Sequence, residues 1–188
     1  MPRKTMITKE MLSDSAFALL QEEGVEEVTA RKLAAKQGCS TQPIFHVYNG
    51  MEDIIREMFE RCVLYFQKYH ALYTQTHRSI PNVPFVALGL SYIRFAAEEP
   101  NLFRFLFLGK DKFGMSLYEM LNGENGVLSK EVAAAKADGC ADPQMIFMSM
   151  WIFIHGAGCM TITGDYDLDE KDTEELLVNS YKAYKELG

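Results

Sequence analysis

Between Thr29 and Ile54, two short helix-forming stretches flank a tight turn at Gly38-Cys39-Ser40, and few folds accommodate that arrangement. Thr29 is placed to open the first stretch, which runs to Lys36 or Gln37, because its hydroxyl can take up an orphan amide hydrogen. Gly38 ends that helix with the backbone freedom a reversal needs. Ser40 or Thr41 then starts a second stretch to about Val47, with Pro43 in the first turn, where a missing N–H costs little. Ala34 and Gly38 keep the crossing small, while Leu33, Ile44 and Ile54 supply apolar inner faces. The pattern is that of a helix-turn-helix, whose second helix presents its N-terminal residues outward for reading base edges.

Helical periodicity governs the remainder. Met6 to Glu23 carries a stripe of Met11, Leu12, Ala16, Leu19 and Leu20, closed by Gly24. Asn49 followed by Glu52 has the spacing of a capping box for a helix from Gly50 to about Thr76. Pro81 and Pro84 break the pattern. Helices are then expected over 85–98, 101–108, 113–121 and 127–137, from Asp142-Pro143 to near Thr163, and from Asp169 or Glu170 to Leu187. No segment alternates as a strand bounded by hairpin turns. The expected fold is all-α: a three-helix DNA-binding domain over 1–53, a connecting helix over 54–80, and a helical bundle over 81–188 for ligand binding and dimerisation.

Composition narrows the function. Apolar residues make up 48% of 188 positions, enough for a sizeable core. The apolar run Met145–Met160 is short and interrupted by Ser149, His155 and two glycines, so no membrane partner is expected. The charged start carries no leader pattern, and a cytoplasmic location follows as an expectation. Cys39, Cys62, Cys140 and Cys159 are scattered and expected as free thiols. His155 and Cys159 have the spacing of a metal half-site, but no third ligand joins the local pattern, so neither metal nor other cofactor is expected. A phosphate-binding glycine loop, a nucleophile elbow and a zinc-protease motif are all missing, which argues against an enzyme.

A net charge of -7 sits uneasily with nucleic-acid binding, and residues 1–60 hold seven basic against ten acidic side chains. Phosphate contact depends on where the cations lie, however, not on their sum. Arg3, Lys4, Arg31 and Lys36, with Thr29, are the candidate phosphate contacts, and Ser40, Thr41, Gln42, Phe45, His46 and Tyr48 complete the candidate DNA surface. Gln42 has the donor–acceptor pair that matches adenine, and Thr41 suits a thymine methyl or a phosphate.

Over residues 8–54 the chain resembles the TetR family of bacterial transcriptional regulators. The matching positions are Thr29, Leu33-Ala34, Gly38-Cys39-Ser40, Ile44-Phe45-His46-Val47-Tyr48 and the Gly24 that ends the first helix. Phe45, Val47 and Met51 depart from that pattern: they stand where the family commonly has side chains that hold phosphates. Tyr92 to Phe107 and Trp151-Ile152-Phe153-Ile154-His155-Gly156 resemble stretches of TetR-type ligand domains, the second being a Trp-x-x-x-His-Gly signature. The resemblance implies a repressor that binds a palindromic operator in double-stranded DNA as a homodimer and is released by a small-molecule effector. A TetR-like ligand-binding module without specific DNA binding is the alternative.

The Met-rich, aromatic C-terminal half is either ordinary core or the wall of an adaptable apolar cavity. The candidate ligand contacts are Tyr92, Phe95, Phe103, Phe107, Met120, Met148, Trp151 and His155. Leu176, Leu177, Ser180, Tyr181 and Tyr184 form one stripe on the last helix, and Gly156-Ala157-Gly158 permits close approach of another backbone. With Gly158, that stripe is the candidate dimer interface, two helices meeting their twofold mates.

Overall fold

A computed structural model describes residues 7–77 and 80–187. Arg3 and Lys4 lie outside the described residues. Among the described residues all regular structure is helical, as the sequence predicts. The helices are α1 (Lys9–Glu23), α2 (Ala30–Lys36), α3 (Gln42–Val47), α4 (Met51–Thr76), α5 (Val86–Glu98), α6 (Pro100–Phe103), α7 (Leu117–Asn122), α8 (Val127–Ala137), α9 (Pro143–Thr163) and α10 (Glu170–Leu187). Two compact units result: Met1–Leu64 with Asn101–Gly114, and Tyr65–Pro100 with Met115–Gly188.

In the first unit, Thr8 caps α1 by accepting the Met11 N–H, and Leu12, Ala16, Leu19 and Leu20 turn inward. Thr29 does the same for α2 through the Lys32 N–H. Gly38 adopts a φ of 63°, and the reversal is closed by Cys39 N–H donating to the Ala34 carbonyl at 2.9 Å. Leu12, Leu20, Leu33, Ile44, Ile54 and Met58 are fully buried and hold α1 to α4 around one core. Gln37 donates to the Met11 carbonyl and to Ser15 Oγ, which ties the start of the turn back to α1. The expected box at the head of α4 uses a different acid. Asn49 donates to Asp53 from both its backbone and its side chain, and Glu52 pairs instead with Arg56.

The segment after α6 departs from a plain helix. Arg104–Leu108 widens into a π-turn, and Phe113 takes a left-handed φ of 50°. Phe59 of α4 meets Phe105 at 6.0 Å and Phe113 at 5.3 Å, while Asn101 donates to the Gln21 carbonyl at the end of α1. The helix expected from Phe113 starts only at Leu117, because Ser116 and Glu119 form a complete capping box there.

The second unit is a bundle. Helix α5 lies against α9 and α10, which also contact each other, and α8 packs on α7 and α9. Gly89 marks the tightest crossing: a Cβ there would stand 3.0 Å from both Ile154 of α9 and Leu177 of α10. Phe66, Tyr92 and Phe95 form the aromatic centre, with Phe66–Phe95 ring centroids 5.1 Å apart. Phe85 opens α5 in a left-handed conformation (φ 66°) and is wholly buried. Its N–H donates to the Glu131 carboxylate at 2.6 Å. That carboxyl's pKa is raised by burial, partly offset by the bond from Phe85.

Candidate nucleic-acid interface and ligand site

Helix α3 buries one side chain, Ile44, and leaves Gln42, Phe45 and His46 exposed, with Ser40 and Thr41 exposed just before them. Such a short helix can do this because Ile44 anchors its middle while the flanking positions point outward. Phe45 keeps half of its surface in solvent. Tyr48, by contrast, is buried and donates its hydroxyl to Glu57, so it props α3 from inside and its side chain is not on the outer face. Burial lifts its phenol above the usual range.

The cations of this region are mostly engaged with carboxylates. Lys9 meets Glu57 at 2.9 Å, Lys32 sits between Glu23 and Glu27, and Lys36 is 3.3 Å from Glu22. Arg31 is exposed and makes no ion pair among the described residues. Thr29 is exposed, but its hydroxyl is already occupied as the α2 cap.

In the second unit the expected ligand contacts are dispersed. Three come together: the Tyr92 hydroxyl and His155 Nδ1 are 2.8 Å apart, and Trp151 lies 4.9 Å from the Tyr92 ring and stacks on His155. Cys159 Sγ is 3.6 Å from His155 Nε2, and burial pushes its thiol up, away from reactivity. No group of three or more metal-ligating side chains occurs among the described residues. Phe95 is core, between Phe66 and Tyr69. Met120 is buried on α7, and Met148 is 46% exposed on α9. Phe103 and Phe107 belong to the first unit, where they pack on each other at 5.3 Å.

Among the described residues, cavities open in the second unit, and none of those eight residues lines the three that follow. One, of about 250 Å³, has Arg94, Glu170, Tyr73 and Tyr166 among apolar walls. Arg94 is held there by Glu98 at 2.8 Å and Glu170 at 3.3 Å. A second, of about 310 Å³, lies between α4 and the α7–α8 turn and is lined by His70, Gln67 and Asn122. The third, of about 650 Å³, is bounded by Glu131, Asp138, Lys182 and Lys185. The polar lining of these cavities leaves no aromatic run in the sequence; its trace there is the polar side chains of α4, His70 above all.

A family model described as Tetracyclin repressor-like, C-terminal domain, matches residues 85–180, just over half of the chain. The chain belongs to the TetR family. No curated protein matches it. TetR-family proteins are transcriptional regulators and not enzymes. The matched region of this TetR-family chain includes Asn101–Gly114, which is compact with the first unit and not with the bundle.

The last two helices of this TetR-family chain divide their apolar residues between core and surface. Leu177 and Tyr181 are buried within the chain, Tyr181 against Phe85 and the Cys140 thiol, and Gly158 is buried as well. Leu176 is exposed, and Ser180 and Tyr184 are half-buried. The larger exposed apolar face lies on α9, where Met145, Met148, Ile152 and Met160 line up at helical spacing. A Cβ on Gly156, in the same line, would meet open space. Periodicity alone could not separate this face from core, because α9 is apolar all round.

Proposed function

We propose that this protein is a cytoplasmic, homodimeric repressor that binds a palindromic DNA operator and is released by a small-molecule effector. The observation that carries the DNA reading is the outer face of α3: Thr41, Gln42, Phe45 and His46 exposed at the start of a helix anchored by Ile44. Gln42 would read adenine, Phe45 would seat against a thymine methyl, and Arg31 would hold a phosphate. Each subunit would take one half-site, the two spaced by about one helical turn of DNA.

The exposed face of α9, continued by Leu176, Ser180 and Tyr184 on α10, supports a four-helix dimer interface with a second copy. Helix α9 has the length and hydropathy of a membrane-crossing helix, with a third of its most apolar window buried. A partner subunit is the cover proposed for it here, since α5, α8 and α10 already occupy its other sides. The effector would act by binding one dimer geometry better than the other, with a coupling of about 1–3 kcal/mol.

A module that binds ligand but no specific DNA is the second reading. It is favoured by the ion pairing of Lys9, Lys32 and Lys36 and by Phe45, Val47 and Met51, which donate no side-chain hydrogen bonds. Selecting random duplex DNA on the purified protein at near-physiological salt separates the two. A palindromic enriched motif is the expected result. A pool that shows no enrichment even at low salt would put the second reading first.

A further inference from the structure

The cavity between α4 and the α7–α8 turn has a hydrogen-bonding wall whose polarity is fixed by the backbone around it. His70 is 6% exposed and its Nδ1 lies 2.7 Å from Ser91 Oγ. The Ser91 hydroxyl donates to the Leu88 carbonyl at 3.0 Å, so its one hydrogen is spent. Nδ1 must therefore carry the imidazole proton and donate to Ser91, which leaves Nε2 as a bare acceptor. Nε2 has no protein partner, yet no buried side-chain nitrogen or oxygen among the described residues is unpartnered. It therefore has some accessible surface, and His70 lines the cavity between α4 and the α7–α8 turn.

Two neighbours are fixed by the same logic. Gln67 donates its amide N–H to the Met120 carbonyl at 3.0 Å, which leaves Oε1 as an acceptor. Asn122 accepts the Ser129 N–H and hydroxyl on Oδ1, which leaves Nδ2 as a donor. Gly123 is required for this wall: its φ is +55°, and a Cβ would stand 2.7 Å from the Gln67 amide carbon. Ala71, Thr74, Gln75, Asn125 and Val127 complete the lining, and no Asp, Glu, Lys or Arg takes part. Burial also pushes His70 down to about 4, which keeps it uncharged at neutral pH. A volume of about 310 Å³ is at the lower end of small-molecule sites.

We infer that this cavity is a binding site for a compact, uncharged molecule rich in hydroxyl or amide groups, offering donors to His70 Nε2 and Gln67 Oε1 and an acceptor to Asn122 Nδ2. An ion of either sign would meet no countercharge among the lining residues, while uncharged donors and acceptors would be matched by His70, Gln67 and Asn122. The site belongs to the second unit alone. Its occupancy does not depend on whether the protein reads DNA, and the regulator reading bears only on what binding does.

The test is saturation-transfer NMR on the full chain with matched probes: glucose, xylitol and thymidine against gluconate, glucosamine and thymidine monophosphate. At least one uncharged probe is expected to bind, with its charged counterpart at least tenfold weaker. His70→Asn keeps an amide for Ser91 but has nothing at the Nε2 position, and should weaken binding by about tenfold or more. Ala71→Phe, at a half-exposed position of α4, should abolish it by filling the cavity while helicity stays unchanged. Silence from every uncharged probe, equal binding of the charged ones, or binding that survives Ala71→Phe would overturn the assignment. Binding lost in Ala71→Phe without any effect on DNA retention would leave the site standing and remove it from the effector mechanism.

Discussion

The two units differ in where their polar pairs lie. In the first, each of Lys9, Lys32, Lys36 and Arg61 meets a carboxylate of its own unit at the surface. The second has surface pairs too, such as Arg94 with Glu98, but it also holds uncharged pairs away from solvent: His70 with Ser91 and Tyr92 with His155. An exposed ion pair is worth between nothing and about 1 kcal/mol and is easily exchanged for a phosphate. A buried neutral hydrogen bond is costly to leave unmade, so it fixes geometry. A surface that meets DNA as proposed would have to trade partners; a cavity wall has to stay put.

The largest effect that would break this contrast is in the reader's core. Ile44→Ala removes the only buried anchor of α3, and such truncations cost about 2–5 kcal/mol. Thermal unfolding followed by hydrogen exchange should show the first unit's amides losing protection, with those of α9 and α10 little changed. Equal loss in both units would mean that the contrast is not one of separate cores.

The buried histidine is nearly as consequential. His70 has a folded-state pKa of about 4 against an ordinary 6.5, so folding favours its neutral form. Its contribution is present above pH 6.5 and is lost as pH falls toward 4, amounting to about 3 kcal/mol by linkage. Denaturant titrations from pH 7 to 4 should show that loss in the native chain and a much flatter profile in His70→Asn. Parallel profiles would show that another group carries the acid sensitivity.

The helix-turn-helix geometry was legible because its signals are local. Thr29, Gly38 and Pro43 each act through their own backbone, within a few residues. The capping box of Ser116 and Glu119 at the head of α7 is also local, and it sets the helix start later than the expected 113. The cavities were illegible for the opposite reason. His70, Ser91, Gln67 and Asn122 are distant in sequence, and their donor and acceptor roles follow from carbonyls at Leu88 and Met120 that no pattern exposes. Aromatic residues such as Phe95 and Phe103 are conspicuous in the sequence, and both are buried in the structure.

On the outer face of α3, a smaller effect sharpens the comparison. Gln42→Ala is expected to relax discrimination at one base pair per half-site by about 1–3 kcal/mol, with little change in affinity for unrelated DNA. Fluorescence anisotropy on an operator and its single-position variants reads this directly. An even loss across all sequences would make Gln42 a backbone contact instead.

The smallest effect concerns the charges themselves. Glu22→Gln removes the carboxylate 3.3 Å from the Lys36 ammonium, at a site where both side chains are well exposed. Fold stability should shift by less than about 0.5 kcal/mol, since the pair is solvated. DNA affinity should nevertheless rise, by up to about fivefold, because Lys36 no longer has to leave a partner before meeting a phosphate. The plot of log affinity against log salt should steepen by up to about 0.9, one further phosphate neutralised per subunit that makes the contact. Arg31→Ala, at a cation without such a partner, should flatten the same plot. If Glu22→Gln leaves both affinity and slope unchanged while Arg31→Ala lowers them, Lys36 is a structural tie to α1 and the phosphate contacts gather at the start of α2.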